Sequence, residues 1–203
     1  MDKPLLLLDV DGVLNPFRAA PAPNGYQQYE LAGYRVFLAE RHGKWLRQLA
    51  DRVEMVWATT WCDDANELIG PILGLPQLPV IQVDTSRLEE RNCPPTWKLP
   101  DISSFVGERP VIWLDDDLKA DAYAWAAARS APTLLIQPIP GTGFTRAHLR
   151  RIEFFIDRLE HLSIADESED SPSQPRLAPA VKPLDSEGLA ASPRSLAGPV
   201  PRS

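Results

Sequence analysis

Two short acidic clusters stand out in this sequence, and each follows a run of apolar residues. Asp9 and Asp11 flank a single valine after the first apolar run, and Asp115 and Asp116 follow the run Ile112–Leu114. Carboxylates that converge on one place repel one another unless a cation or shared protons relieve them. All-oxygen ligands suit Mg²⁺, which binds through one or two carboxylates, waters and substrate phosphate. The sequence therefore predicts a hard-metal site if the fold brings the two clusters together.

The elements that would position these acids alternate along the chain. Five short apolar runs are predicted strands: Pro4–Val10, Val53–Thr59, Pro79–Val83, Pro110–Asp115 and Thr133–Gln137. Runs that are apolar throughout are typical of strands buried on both faces of a parallel sheet. Between and after them, helical patterns cover Arg41–Arg52, Asp63–Leu73, Lys119–Arg129 and Thr145–Leu162. The alternation predicts an α/β, doubly wound (Rossmann-like) fold with a mostly parallel five-stranded sheet.

One segment interrupts this alternation directly after the first strand. Tyr26–Leu31 and Tyr34–Leu38 are two aromatic, alternating runs joined by Ala32-Gly33, a pattern that predicts a β-hairpin. We expect this hairpin to form a small flap over the carboxyl end of the first strand. The hairpin and one helix fill the roughly 40 residues between Asp11 and Asp51, so only a minimal cap and an open site are expected.

Ligands of open α/β sheets bind beyond the carboxyl ends of the strands. The polar residues predicted at those ends are Asp9, Asp11, Thr59, Thr60, Asp115, Asp116 and Asp117. Asp117 is predicted to cap the helix that begins near Lys119, because aspartate is a favoured residue at helix N-termini. Among the tryptophans, Trp61 is a candidate to line the pocket, whereas Trp57, Trp97 and Trp113 are predicted to pack in the core.

Four motifs in this order resemble those of the haloacid dehalogenase-like (HAD) phosphohydrolases. They are the run Asp9–Leu14 (DVDGVL), the strand end Val56–Thr60, Lys98 upstream of the fourth strand, and Ile112–Asp117. Together they cover about residues 4–150. Val13 departs from the commoner pattern, in which Thr follows DxDG, and the departure should cost little because the carboxylates carry the chemistry.

A narrower resemblance points to the small-capped HAD domains of Swiss-army-knife RNA repair proteins. The segments that carry it are WATTW, WKLP, WLDDD and a Gly-Lys-Trp-Leu helix before the second motif.

The HAD resemblance implies a role for each residue of the first motif. Asp9 would be the nucleophile that forms an aspartyl-phosphate, which splits one hard displacement into two easier ones. Asp11 would protonate the leaving oxygen and later activate water. Asp9 and the backbone carbonyl of Asp11 would also contact the metal. Gly12 would let the chain turn sharply and bring backbone N–H groups near the phosphate.

The other three motifs would complete the site. Thr59 would hydrogen-bond a phosphoryl oxygen, and Thr60 stays open between a phosphate contact and a helix cap. Lys98 would offset charge on the phosphoryl group and on Asp9. Asp115 and Asp116 would hold Mg²⁺ directly or through water.

The implied function is a Mg²⁺-dependent phosphatase that acts on a phosphomonoester through an aspartyl-phosphate intermediate. Its substrate would be a phosphorylated small molecule or a nucleotide or polynucleotide end. A second class of function is also compatible with the sequence: a non-catalytic module that keeps the fold and binds phosphate or a partner.

Composition limits the partners and the compartment. The formal net charge is -7, which disfavours avid general binding to nucleic acid. The run Leu5–Leu8 is too short for a signal peptide or a membrane span, so a cytoplasmic location without membrane contact is expected. Cys62 and Cys93 are too few for a disulfide framework or a zinc site. The three histidines show no metal-ligand spacing and are predicted to be solvated or on helix surfaces.

The composition changes near residue 162. Residues 162–203 hold seven prolines and eight serines and no aromatic residue, so they bury too little apolar surface to offset the entropy of ordering. We predict a HAD-like phosphohydrolase domain over residues 1–161 and a disordered Pro/Ser/Ala-rich tail over residues 162–203.

Overall fold

The computed structural model describes residues 3–17, 21–90 and 92–169 of the 203-residue chain. Their helices and strands are, in chain order, β1 Leu5–Leu8, β2 Gln27–Leu31, β3 Tyr34–Leu38, α1 Glu40–Leu49, β4 Glu54–Trp57, α2 Gly70–Leu73, α3 Leu99–Val106, β5 Val111–Leu114, α4 Ala120–Ala128, β6 Thr133–Ile136 and α5 Arg146–Glu169. A π-helical turn, Ala65–Ile69, precedes α2, and a 3₁₀ turn covers Thr85–Glu89. Within this described part, no helix has the length and apolar character needed to cross a membrane.

The main sheet of the described residues is parallel, with the strand order β4-β1-β5-β6. Residues of β1 are in register with Glu54–Trp57 on one side and Val111–Leu114 on the other. All four leucines of β1 are fully buried, as expected for a central strand of a parallel sheet. The carboxyl ends of all four strands therefore meet at the same edge.

Helices cover both faces of this sheet. Successive side chains of a strand point to opposite faces. Leu6 belongs to the core cluster that contains Leu46 of α1, whereas Leu7 belongs to the cluster that contains Ile102 of α3. The α/β architecture with a mostly parallel sheet is therefore confirmed. The three tryptophans predicted to be core residues are all buried.

The fifth predicted strand, Pro79–Val83, is not confirmed. This segment meets β4 through an isolated parallel bridge between Trp57 and Val80. The Trp57 N–H donates to the carbonyl of Pro79 at 2.9 Å, and the Ile81 N–H donates to the carbonyl of Trp57 at 2.9 Å. Pro79 has no N–H to extend a ladder, which limits the pairing on its side of the bridge. The described sheet therefore has four strands.

Helix α3 was not expected from the sequence. Its segment, LPDISSFV, contains one proline and two serines, which are weak helix formers. Pro100 lies in the first turn, where a missing backbone N–H costs nothing, so the helix tolerates it. Tertiary packing decides the structure here, because Ile102 and Val106 are buried against the sheet.

The last helix extends further than predicted. Helix α5 runs from Arg146 to Glu169, beyond the predicted end at Leu162. Residues 170–203 lie outside the described part of the chain, so the disordered tail stays a prediction.

The predicted hairpin is confirmed. Strands β2 and β3 pair antiparallel, with Leu31 opposite Tyr34 at the turn. Ala32 and Gly33 have φ values of 49° and 82°, the left-handed pair that a tight hairpin turn of the I′ type requires. The Phe37 N–H of β3 donates to the Asn15 side-chain oxygen at 2.8 Å. The hairpin is thus tied to the loop that follows β1, close to Asp11.

The prediction for His42 is wrong, because its side chain is fully buried. Its Nε2 lies 3.0 Å from the carbonyl oxygen of Phe144, so this nitrogen carries the proton and donates. Burial, followed by the charge of Arg41, lowers the pKa of His42 to about 4. Long-range packing from Phe144 produces this environment, and the spacing around His42 in the sequence carries no sign of it.

Candidate active site

Three carboxylates converge at the carboxyl edge of the sheet. Asp9 follows β1 and continues the ladder, because its N–H donates to the carbonyl of Leu114 at 3.1 Å. Asp115 and Asp116 follow β5, and one oxygen from each of the three carboxylates lies within 4.8 Å of the others. Asp9 and Asp115 are only 6% and 1% exposed. The structure therefore brings Asp9 of the first acidic cluster together with Asp115 and Asp116 of the second, at the edge that the parallel sheet predicted.

Lys98 contacts two of these three carboxylates. Its Nζ donates to Asp9 Oδ2 at 2.7 Å, to Asp115 Oδ2 at 2.8 Å and to the carbonyl of Ala58 at 3.2 Å. An ammonium group has three hydrogens, so all of its donors have acceptors here. The buried position, 5% exposed, sets Lys98 apart from a solvated loop lysine.

A second polar network fixes the loop that carries Lys98. The Thr96 hydroxyl donates to Asp121 Oδ1 at 2.6 Å, and the Thr96 N–H donates to Asp121 Oδ2 at 3.0 Å. The Lys119 N–H donates in turn to the Thr96 hydroxyl oxygen at 2.8 Å. Sequence reasoning missed Thr96 and Asp121, because only the folded chain places a loop residue against the first turn of α4.

One ammonium group does not balance three carboxylates in a buried site. Burial, reinforced by the charge of Asp115 and opposed by Lys98, raises the pKa of Asp9 to about 7. Burial and Asp115 also raise the pKa of Asp116 to about 6. Burial disfavours the charge on Lys98, but its two carboxylate partners outweigh burial and raise the pKa of Lys98. The cluster therefore carries excess negative charge that a proton or a cation would relieve.

The shape and chemistry of the cluster suit a hard divalent cation. All donors are carboxylate oxygens, the preferred ligands of such ions. Gly12 faces Asp116, and a Cβ at residue 12 would lie 2.1 Å from Asp116 Oδ2. Gly12 also has a φ of +71°, a conformation that few other residues adopt. Glycine at this position therefore leaves the Asp116 carboxylate the space to face Asp9.

Asp11 lies apart from this cluster and is held by two side chains. Its Oδ1 accepts from Asn15 Nδ2 at 2.7 Å, and its Oδ2 accepts from Trp61 Nε1 at 2.9 Å. Asn15 is itself oriented by the Phe37 N–H of β3. Asn15 was missed at the level of sequence, although an asparagine four residues after Asp11 in the same loop was an available signal. Trp61 lines the pocket, as proposed for it, and also donates to the acid.

The two threonines after β4 have different surroundings. Thr59 is fully buried beside Ala58, and its hydroxyl oxygen accepts from the Trp61 N–H at 3.4 Å. Thr60 is exposed and lines a cavity together with Asp11 and Trp61. Their roles toward phosphate stay predictions.

The capping role predicted for Asp117 is wrong. Helix α4 begins at Ala120, and the residue before it, Lys119, forms no side-chain cap. The Asp117 N–H donates to Asp115 Oδ1 at 2.8 Å, and its carboxylate pairs with the Lys119 ammonium group. Asp117 thus helps to orient Asp115, because the N-cap of the helix is Lys119, two residues after Asp117.

A parallel sheet with an acidic pair after β1, a buried lysine and a second acidic pair after β5 defines the HAD-like class. The family model for the HAD domain in Swiss Army Knife RNA repair proteins matches residues 5–149. This chain belongs to that family, since the match covers well over half of its 203 residues. The resemblance noted in the motifs is thereby confirmed. A comparison with curated proteins finds no match.

The raised carboxylate pKa values predict a pH-dependent response to Mg²⁺. Without metal, the folded protein holds more protons than the unfolded chain between the ordinary Asp pKa of 3.8 and about 7. The contribution of these two groups to the free energy of unfolding is therefore fully present below that pH range and is lost as the pH rises through it. A saturating cation should raise Tm by about 5–10 °C near pH 7.5 and by much less near pH 5, where protons compete.

Thermal unfolding with and without Mg²⁺ at the two pH values measures this response. Asp116→Asn should shrink the shift near pH 7.5, whereas Asp51→Asn, an exposed control, should leave it intact. An equal shift at both pH values would contradict the assignment of a cation to these carboxylates.

Proposed function

We propose that this protein is a Mg²⁺-dependent phosphatase that hydrolyses a phosphomonoester through an aspartyl-phosphate on Asp9. The observation that carries the proposal is the convergence of Asp9, Lys98, Asp115 and Asp116 at the carboxyl edge of the sheet. This is the edge where α/β proteins bind ligands. Membership of the HAD family supports the same reaction class.

The first step transfers the phosphoryl group to the protein. A carboxylate oxygen of Asp9 attacks phosphorus, an O–P bond to Asp9 forms, and the bond between phosphorus and the leaving oxygen breaks. Lys98 holds Asp9 in place through the 2.7 Å contact with Oδ2. Asp11 donates a proton to the leaving oxygen, so that an alcohol departs. Asn15 and Trp61 orient the acid for this transfer.

The second step releases phosphate. Asp11, now ionised, takes a proton from water, and the water oxygen attacks phosphorus while the bond to Asp9 breaks. Thr59 or Thr60 binds phosphoryl oxygens during both steps, because the N–H groups of Gly12 and Val13 already donate to the carbonyls of Asn15 and Val10. The carboxylates of Asp9, Asp115 and Asp116, with the backbone carbonyl of Asp11, would hold Mg²⁺. When bound, this ion supplies positive charge that offsets the phosphoryl oxygens.

The substrate in this proposal is a phosphorylated small molecule or a nucleotide or polynucleotide end. The net charge of -7 includes the three carboxylates of the proposed metal site, so it is a weak argument against a nucleic-acid end. We place the reaction in the cytoplasm, where free thiols such as those of Cys62 and Cys93 persist.

A panel of phosphomonoesters assayed with several divalent metals tests the proposal. Hydrolysis should require Mg²⁺ or a similar ion and should disappear with a chelator. The non-catalytic alternative predicts a different result, in which calorimetry detects Mg²⁺-dependent phosphate binding but no ester of the panel is turned over. That result would overturn the enzymatic assignment.

A further inference from the structure

A cavity of about 480 Å³ has the proposed acid, Asp11, among its lining residues. Its volume lies within the range of roughly 300–1,000 Å³ that small-molecule sites occupy. Asp11, Thr60, Trp61 and Asp64 line it, and the loop after β1 and the hairpin contribute the aromatic residues Phe17 and Tyr34 together with Asn15, Ala32, Arg35 and Val36. The hairpin turn thus forms one wall of this cavity.

The position of Asp11 indicates which part of a substrate would occupy the cavity. The acid must contact the oxygen that leaves with the alcohol, and the rest of the alcohol is bonded to that oxygen. Asp11 lines the cavity and follows the proposed nucleophile, Asp9, by two residues in the same loop. The cavity is therefore placed to receive the leaving group. This step rests on the proposed function.

The walls of the cavity are rich in exposed aromatic surface. Tyr34 is 68% exposed and Phe17 is 59% exposed, and both line this same cavity. Tyr34 meets Trp61 edge to face, with ring centroids 6.1 Å apart and an interplanar angle of 69°. Exposed aromatic faces of this kind stack on planar rings and gain more from them than from sugars or short alkyl chains.

Backbone strain is concentrated next to the same two aromatic residues. Among the residues that the structure describes, Ala32 and Cys62 are the non-glycine residues with a positive φ, at 49° and 46°. Ala32 lies two residues before Tyr34, and Cys62 directly follows Trp61. Left-handed conformations cost such residues of order 1–3 kcal/mol and cluster at ligand sites. The hairpin turn accounts for the conformation of Ala32, so it is the strain at Cys62 that supports a binding role for the adjacent Trp61.

We propose that this cavity is a subsite for a leaving group that carries a planar aromatic ring. The ligand class is a phosphomonoester whose alcohol bears a nucleobase or a similar ring. Tyr34, Phe17 and Trp61 bind the ring, and Asp11 contacts the oxygen that links the alcohol to phosphorus. The ring belongs to a free mononucleotide or to the terminal nucleotide of a polymer, and both present the same chemistry to the cavity.

Matched substrates with and without the ring test the subsite. Adenosine 5′-monophosphate and ribose 5-phosphate carry the same primary phosphate ester, but only the first has a base. The wild-type kcat/KM should favour the nucleotide by about tenfold, and Tyr34→Leu should reduce this ratio about five- to tenfold. Tyr34→Phe, which keeps the ring, should restore most of the ratio.

Phe154→Leu is the control variant, because Phe154 is 64% exposed and lines a separate cavity on α5. It should leave the ratio unchanged. A wild-type ratio near one, or a ratio that Tyr34→Leu does not alter, would overturn the subsite.

A binding measurement separates this inference from the proposed function. Calorimetry on Asp9→Asn compares the affinities for adenosine 5′-monophosphate and ribose 5-phosphate without turnover. If the wild-type protein hydrolyses both esters equally and the affinities are equal, the phosphatase assignment stands and the subsite fails. If no ester is hydrolysed but the nucleotide binds more tightly in a Tyr34-dependent way, the subsite stands and the phosphatase assignment fails.

A 5′-phosphorylated oligonucleotide, compared with the mononucleotide, identifies the source of the ring. Faster turnover of the oligomer indicates a polymer end, and slower turnover indicates a free nucleotide. Both results support the subsite if they also depend on Tyr34.

Discussion

Asp9→Asn should reduce kcat/KM for phosphomonoesters by at least about a thousandfold, because it removes the proposed nucleophile. Asparagine has nearly the same size as aspartate and keeps a side-chain oxygen. Lys98 Nζ, which donates to Asp9 Oδ2 at 2.7 Å, can therefore still donate a hydrogen bond to residue 9. The neutral amide cannot form the acyl phosphate bond. Initial rates at saturating Mg²⁺, compared with the wild-type protein, measure the loss.

Loss of folding is excluded by a stability measurement on the same variant. Burial raises the pKa of Asp9 to about 7, so an ionised Asp9 is costly in the metal-free protein. Asparagine removes that charge, so the unfolding free energy of Asp9→Asn near pH 7.5 should equal or exceed that of the wild-type protein. The exposed control Asp51→Asn should keep full activity. Turnover by Asp9→Asn within tenfold of the wild-type rate would refute the nucleophile assignment.

The part of the site that the sequence predicts is the part set by strand order. Apolar runs that end in Asp9 and Asp115 imply parallel strands, and parallel strands place both carboxylates at one edge. Lys98 was predicted from motif order alone. Its burial depends on the Thr96–Asp121 network, which joins residues 25 positions apart in the chain.

Other features depend on contacts that leave no local pattern. Asn15 orients Asp11 only because the Phe37 N–H of the hairpin orients Asn15. The indole Nε1–H of Trp61 donates to Asp11, which lies 50 residues earlier in the sequence. Pro79–Val83 has the composition of a strand, but a proline without an N–H at its start leaves a single bridge. In each case a tertiary contact or one missing donor overrides the local propensity.

Lys98→Met should produce the second large effect, on both stability and activity. Removing the ammonium leaves Asp9 and Asp115, 6% and 1% exposed, without a counter-ion. Breaking such a buried pair costs about 3–5 kcal/mol near neutral pH. The loss should shrink toward pH 5, because protonation of Asp9, whose pKa is already raised by burial, removes part of the uncompensated charge. Chemical denaturation at both pH values measures it, and kcat/KM should fall at least about 100-fold.

A double variant distinguishes lost charge balance from lost packing. In Lys98→Met/Asp9→Asn only Asp115 of the contacting pair keeps its charge, so this protein should be more stable than Lys98→Met by over about 1 kcal/mol. Packing loss alone would make the double variant no more stable than the single one. Lys44→Met removes an exposed ion pair with Glu40 at 2.9 Å and should change stability far less.

Since charge also controls the site's affinity for cations, Mg²⁺ should stabilise Lys98→Met more than the wild type, which already has an internal cation beside these carboxylates.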